Sequence, residues 1–238
     1  MTAWKARRFW TDVQIVEGPD GFAVRLDGRP VRTPAKTEVH VPTPALAEAL
    51  AEEWRAVEDD IRPADMPVTR SVNAAIDKVI PQFDEVARLI ASYGGTDLLC
   101  YRAQAPEALV RRQAAGWDPL LDWADARFGA RLSVACGVMP VGQSDAALDR
   151  LRARVTLATP FQLAALHDLV GLSGSLVLGL AVADGRLDAD TGWALSRIDE
   201  TFQAEQWGRD DEAEAAAAFK RDEFRHAARF HALSTGAI

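Results

Sequence analysis

The first forty residues alternate between apolar and polar side chains, which is the pattern of strands with one buried face. A Gly18-Pro19-Asp20-Gly21 turn separates the first two runs. Asp27-Gly28 then predicts a two-residue hairpin, because both central positions of such a turn need positive φ. The predicted strands cover residues 13–16, 22–26, 31–33 and 38–41. Together they predict a small antiparallel sheet.

The apolar positions next change to helical spacing. Thr43-Pro44 predicts a helix start, with a hydroxyl cap and a proline at the first helical position. A second helical pattern covers residues 72–92. Pro81 is expected to break or kink it, because proline lacks an amide donor and clashes with the preceding turn.

After residue 100 the pattern is almost wholly helical, apart from one short extended piece predicted at residues 131–134 and closed by residues 137–140. Ala105-Pro106-Glu107 and Trp117-Asp118-Pro119 are interpreted as helix starts, and Ser144 as the cap of a further helix. The last helices are predicted at residues 160–183, 188–207 and 211–231.

These elements predict an α+β fold. A small antiparallel β-rich N-terminal domain with helices is expected over residues 1–100. An all-α C-terminal domain is expected over residues 101–238, because the structural type changes near residues 95–105.

Composition narrows the possible partners. The 238 residues are 48% hydrophobic and carry a net charge of −8, with no block of lysine or arginine, so nucleic acid is not expected as a partner. The most apolar stretch, residues 169–183, is shorter than the roughly 20 residues of a membrane-spanning helix, which predicts a buried helix of a soluble protein. The N-terminus has no apolar core of a secretory signal, so no such signal is expected.

The residues offer little for cofactor or metal chemistry. Cys100 and Cys136 lack CxxC spacing, which predicts a reducing compartment without a disulfide or zinc site. His226 and His231 are five residues apart and do not share one helical face, so no metal site is predicted. Residues 171–175 lack the phosphate-loop pattern, and their small side chains are expected to let helices approach closely. No cofactor is predicted.

Carboxylates are concentrated near the C-terminus. On composition alone they form a solvated helix face, and those of residues 210–212 favour the positive start of the last helix. The carboxylates in question are Asp199, Glu200, Glu205, Asp210, Asp211 and Glu212. Trp207 is flanked by polar residues, so it is either a core residue or a binding anchor.

Several different short motifs follow one another along nearly the whole chain. They are Arg8-Phe9-Trp10, Leu26-Asp27-Gly28-Arg29-Pro30-Val31-Arg32-Thr33-Pro34, Leu46-Ala47 with Glu53-Trp54, Met66-Pro67, Thr96-Asp97-Leu98-Leu99-Cys100-Tyr101-Arg102, Gln113 with Trp117-Asp118-Pro119-Leu120-Leu121-Asp122-Trp123, and Asp199-Glu200-Thr201-Phe202-Gln203 with Trp207-Gly208. Through them the chain resembles the assembly chaperones that bind the alpha subunit of mitochondrial and alphaproteobacterial ATP synthase.

The resemblance implies a non-enzymatic activity. A member of this family would bind the unassembled alpha subunit and prevent its aggregation until the beta subunit replaces it. It would have the α+β and helical domains predicted above. With no targeting extension, the chain looks like a bacterial, cytoplasmic member, whereas the eukaryotic members act in the mitochondrial matrix.

The resemblance also implies a client-binding segment at Asp199, Glu200, Gln203 and Trp207. Glu200 is the first candidate, since a rim carboxylate that pairs with a client arginine fixes orientation more than affinity. Gln203 and Trp207 follow on the same helical face. For Arg29, Arg32 and Asp97, salt bridges at the edge of the core are expected instead.

Two other interpretations stay open. One is an enzyme that uses carboxylates around Glu200 as general acid and base, which requires a deep apolar pocket with Glu200 at its base. The other is a permanent structural subunit of a larger complex, which requires a broad apolar face. A monomer is expected, because no heptad seam is visible.

Overall fold

A computed structural model describes residues 7–137 and 141–236, and the predicted α+β fold class is confirmed. The strands in this part of the chain are β1 (Val13–Gly18), β2 (Gly21–Leu26), β3 (Arg29–Pro30), β4 (His40–Val41), β5 (Tyr101–Arg102) and β6 (Ala135–Cys136). The α-helices are α1 (Pro44–Ala56), α2 (Pro67–Ala74), α3 (Phe83–Ser92), α4 (Glu107–Phe128), α5 (Asp145–Thr156), α6 (Pro160–Ser173), α7 (Leu176–Ala183), α8 (Ala189–Ser196), α9 (Ile198–Trp207) and α10 (Asp211–Thr235). Within the described ranges, every helix is too short or too polar to span a bilayer.

Strand β2 is the centre of the N-terminal sheet and pairs antiparallel with β1, β3 and β4. The predicted hairpin at Asp27-Gly28 is confirmed, since both residues have positive φ, of 47° and 79°. The return strand is β3 and not residues 31–33, and β4 is shorter than predicted. The reason is a turn at residues 33–37, where the Lys36 amide donates to the Thr33 carbonyl. This turn folds residues 38–39 back onto residues 31–32, so that the Val39 amide donates to the Val31 carbonyl and not to β2.

Helix α1 covers the sheet and begins as predicted. The hydroxyl of Thr43 accepts a hydrogen bond of 3.1 Å from the Leu46 amide, and Leu46 and Leu50 are buried. The ring of Trp10 lies 5.2 Å from that of Trp54, and its indole nitrogen donates to the Trp54 carbonyl. This places Trp10, which is 2% exposed, in the core.

The predicted interruption at Pro81 is confirmed. The α-helical hydrogen bonding of α2 gives way to a π-helical turn at Ala75–Val79 and a 3₁₀ turn at Ile80–Gln82 before α3 begins. Because Pro81 has no amide proton, it cannot continue the regular ladder. At the other end of α2, the Glu53 carboxylate accepts hydrogen bonds from the Val68 and Thr69 amides, which supplies the cap that this helix start needs.

The predicted helix start at Trp117-Asp118-Pro119 is wrong, because Pro119 lies inside the continuous helix α4. A proline in a helix interior costs about 3 kcal/mol, so packing has to offset it. Trp117 is 1% exposed, and its indole nitrogen donates to the Leu195 carbonyl over 2.8 Å. This tertiary contact is what the local sequence did not reveal.

Two predicted helices are each divided in the structure. The helix predicted over residues 160–183 is α6 and α7, because Gly174 has a φ of +71° and Ser175 caps α7 by accepting from the Leu178 amide. The helix predicted over residues 188–207 is α8 and α9, with Arg197 outside helical geometry at φ −115° and ψ 19°. The last helix continues to Thr235, beyond the predicted end at residue 231.

Other predictions are shifted or wrong in detail. The extended piece predicted at residues 131–134 is wrong in its position, because strand β6 begins only at Ala135, where it pairs in parallel with β5. Residues 138–140 of its predicted closing turn lie outside the described residues. Asp97 is not at the edge of the core in a salt bridge but is buried, with its carboxylate hydrogen-bonded to Ser175 and Val177.

The chain forms two compact units that are each built from separate segments. The first contains Met1–Phe83, Thr159–Ala165 and Arg229–Ile238. The second contains Asp84–Ala158 and Leu166–Ala228. The predicted domain boundary at residue 100 stays a prediction.

Candidate functional site

Helix α9 carries the residues that the resemblance indicates. Ile198 and Phe202 are four residues apart and buried, so they attach one face of the helix to the second unit. Gly208, with a φ of +94°, ends the helix directly after Trp207. The opposite face of α9 is therefore open to solvent.

Glu200, Gln203 and Trp207 occupy that open face. Their spacing of three and four residues aligns them along the helix, and all three are exposed. The Trp207 side chain is 81% exposed, which is unusual for the largest apolar side chain. These three residues are named the α9 stripe below.

Asp199 lies behind the α9 stripe. It is half-buried, and its carboxylate accepts a hydrogen bond of 2.6 Å from the side-chain amide of Gln113 in α4. Gln113 is 1% exposed, and its side-chain amide oxygen accepts a hydrogen bond of 2.8 Å from the backbone amide of Ala103. The structure thus separates Asp199 from the other three predicted residues and places it at the attachment of α9 to α4.

A second polar link joins the same two helices. Arg112 donates two hydrogen bonds of 2.9 Å to the Glu205 carboxylate, and its guanidinium lies 5.4 Å from the centre of the Phe202 ring. The hydrogen bonds from Arg112 lower the pKa of Glu205 below its ordinary value. Arg112 and Glu205 were not predicted as partners, because they are 93 residues apart in sequence.

The Glu200 carboxylate has a local partner. Arg197 lies one turn earlier, and its guanidinium is 2.7 Å from a Glu200 oxygen. Arg197 also lies 5.7 Å from the centre of the Trp193 ring. Since the Glu200 side chain is 48% exposed, water screens this pair, and such pairs contribute about 0–1 kcal/mol.

Two cavities lie away from α9 in the part of the chain that the structure describes. One of about 270 Å³ is lined by acidic and apolar side chains that include Glu53, Asp60 and Met66. Another of about 260 Å³ is lined by residues that include Asp118, Leu121 and Arg131. Glu200 lines neither of them, so the geometry of α9 is that of an open contact surface.

Among residues 7–137 and 141–236, no group of three or more histidine, cysteine or acidic side chains is arranged so that it could hold a metal ion. Burial raises the pKa of the Cys100 thiol to about 12, with a further rise from Asp97 and a smaller opposing effect of Arg102. That thiol is therefore protonated at neutral pH.

Comparison with known proteins gives the class. The family model described as ATP12 chaperone protein matches residues 7–125. Mitochondrial protein atp12 of Schizosaccharomyces pombe is 26% identical over 221 residues, which cover 87% of this chain and 75% of that protein. The crystal structure of Atp12 from Paracoccus denitrificans is 59% identical with a TM-score of 0.95, and the match covers 98% of this chain and 100% of that one. The Atu1473 protein of Agrobacterium tumefaciens is 42% identical with a TM-score of 0.90, over 96% of this chain and 86% of that one.

These matches define an assembly chaperone of ATP synthase, as the sequence resemblance implied. The chain belongs to the ATP12 chaperone family.

Proposed function

We propose that this chaperone binds the unassembled alpha subunit of the ATP synthase catalytic head through the α9 stripe and prevents its aggregation until the beta subunit replaces it. The observation that carries the proposal is the exposure of Trp207. An indole that packs against a client loses apolar surface to water, at about 25 cal/mol per Å² of buried area. Tryptophan is also among the residues that most often dominate binding energy.

Glu200 sets the orientation in which the client binds. Its pairing with Arg197 is solvent-exposed and weak, so a client arginine can take the place of Arg197 at little cost. A rim carboxylate of this kind sets register and association rate more than affinity. Gln203, one turn further, adds a hydrogen-bonding side chain beside it.

Asp199 contributes from behind the surface. Together with Gln113 it holds α9 on α4, and the Arg112–Glu205 pair adds a second attachment. A helix that is fixed before the client arrives loses less conformational freedom on binding. We propose that these links pre-organise the α9 stripe.

The scheme requires mass action and no chemical step. A binder that occupies an exposed apolar interface lowers the free concentration of the aggregating species. Release follows because the interface between the permanent subunits is larger and more apolar. We propose accordingly that the chain has no catalytic activity, that it acts as a monomer, and that it works in the bacterial cytoplasm.

The test is a light-scattering assay of purified alpha subunit diluted from denaturant. The unaltered protein is expected to suppress scattering near equal stoichiometry. Trp207→Ala is expected to weaken suppression by about 30-fold, since loss of an aromatic anchor costs about 2 kcal/mol. Glu200→Lys is expected to weaken it while the circular dichroism melt stays unchanged, because the side chain is exposed.

Two variants serve as controls. Glu107→Lys reverses a carboxylate that is also exposed and paired with an arginine in its own helix, and Leu157→Ala removes an apolar side chain that is 76% exposed elsewhere in the second unit. Both are expected to suppress normally. Equal loss in controls and test variants would contradict a specific α9 surface. Failure of the unaltered protein to suppress would contradict the client assignment itself.

A further inference from the structure

The first six residues of helix α10 extend beyond the packed part of the second unit. Every residue from 205 to 216 is exposed. Ala217 is the first residue of α10 that packs on the apolar cluster around Trp193 and Phe224. Residues 211–216 therefore project by about 9 Å, at 1.5 Å per residue.

Interactions within the segment itself favour a helix in this projecting part of α10. The Asp210 carboxylate accepts a hydrogen bond of 2.8 Å from the Ala213 amide and so caps the helix. Asp211, Glu212 and Glu214 lie in the first turn, where carboxylates interact favourably with the helix dipole. The alanines of residues 213–218 have the highest helix propensity. The helix does not depend on packing here, and its outer surface stays open.

The open surface combines aromatic and acidic groups. Phe219 is 66% exposed, and helical spacing places Ala215, Ala216 and Glu212 on its face. The small alanine side chains leave room for another chain to come close to the helix. The segment 205–216 has five carboxylates and one arginine, Arg209, which pairs with Glu214. The adjoining Trp207 gives a second exposed aromatic side chain.

We infer that the surface of residues 211–219, named the α10 projection, continues the α9 stripe and binds a basic, apolar segment of the client. The inference rests on the proposed function and states which client chemistry the surface takes. Phe219 and Trp207 would contact apolar side chains, while the carboxylates around them face lysine or arginine. A second copy of this chain is disfavoured as the occupant, because it would bring the same negative charge to the surface.

The experiment measures half-suppression of alpha-subunit scattering as a function of chaperone concentration. Phe219→Ala is expected to raise that concentration about tenfold, whereas Leu157→Ala leaves it unchanged. The double variant Asp211→Asn with Glu212→Gln is expected to raise it and to reduce its dependence on sodium chloride. The matched control is Asp84→Asn with Glu85→Gln, which removes the same exposed groups from the first turn of α3.

The outcomes separate the two proposals. Normal suppression by Phe219→Ala and by the charge variant would overturn the α10 projection while the α9 stripe and its client stand. If the unaltered protein does not suppress scattering, both proposals are wrong. Equal loss in the α3 control would show an effect of net charge and would also overturn the inference. Size-exclusion chromatography that gives a dimer, lost in Phe219→Ala, would identify a second copy as the occupant.

Discussion

The Asp97 carboxylate is an acidic group with 0% exposure in the second unit. It accepts hydrogen bonds of 2.7 Å from the Ser175 hydroxyl and 3.0 Å from the Val177 amide, so it caps α7 from a distant part of the chain. The Leu99 amide is a third donor. Burial raises the pKa of Asp97, and the hydrogen bonds oppose that rise.

Asp97→Ala is expected to destabilise the protein by about 3 kcal/mol or more, because three buried donors lose their acceptor. The measurement is the urea midpoint of unfolding. As a comparison, Asp149→Ala removes an exposed carboxylate and is expected to change stability by about 0.5 kcal/mol or less. Similar midpoints for the two variants would show that the Asp97 hydrogen bonds contribute little.

At the scale of elements, glycines decide how α6 and α7 pack. A methyl group at Gly179 would lie 2.6 Å from a Val170 side-chain carbon and 3.4 Å from its backbone nitrogen. Gly171, in the same apolar sequence, has no atom within 4 Å of such a methyl group. The prediction that small residues at 171–175 let helices approach closely is therefore wrong for Gly171. The close approach occurs at Gly179 instead.

These two glycines predict opposite effects of the same substitution. Gly179→Ala is expected to destabilise the protein by about 1–3 kcal/mol through overpacking. Gly171→Ala is expected to stabilise it by about 0.5–1 kcal/mol, since alanine loses less freedom in a helix. Thermal unfolding of both variants measures the difference. A lower melting temperature for Gly171→Ala would mean that its open surface has a contact in solution.

Elements with local signals were predictable from the sequence. The Asp27-Gly28 hairpin, the Thr43 cap and the interruption at Pro81 each depend on neighbouring residues alone. Pro119 was misassigned because Trp117 gains its partner 78 residues away. The division between α6 and α7 depends on the left-handed conformation of Gly174. A glycine permits this conformation, but its presence in the sequence does not predict it.

The α9 stripe was predictable in part. Its helical spacing followed from the sequence, and the structure places Glu200, Gln203 and Trp207 together on an exposed face. The separation of Asp199 from them was not predictable, since it depends on Gln113 in another helix. Whether these residues contact the client stays a prediction.

At the scale of the whole molecule, the sequence order and the spatial units differ. Residues 229–238 belong to the same unit as residues 1–83. Within that unit the Thr43 hydroxyl donates to the Leu233 carbonyl, and Phe230 is 1% exposed. The C-terminal turns of α10 thus contribute to the core of the unit that contains the sheet.

A fragment of residues 1–100 is expected to lack a cooperative unfolding transition, because the segments 159–165 and 229–238 of its unit are missing. Circular dichroism during heating is the measurement. Addition of a peptide of residues 222–238 is expected to restore part of the transition. A sharp transition for the fragment alone would instead support an independent domain that ends near residue 100.

The interleaved first unit also has a consequence for biosynthesis. Residues 1–83 leave the ribosome long before residues 229–238 are made, and at roughly 5–20 residues per second the delay is on the order of 10 s. During that time the Thr43 hydroxyl at the start of α1 lacks its hydrogen-bond acceptor at Leu233, and Phe230, which is buried in the same unit, is still missing. We therefore expect the first unit to stay incompletely folded until translation of the last residues ends.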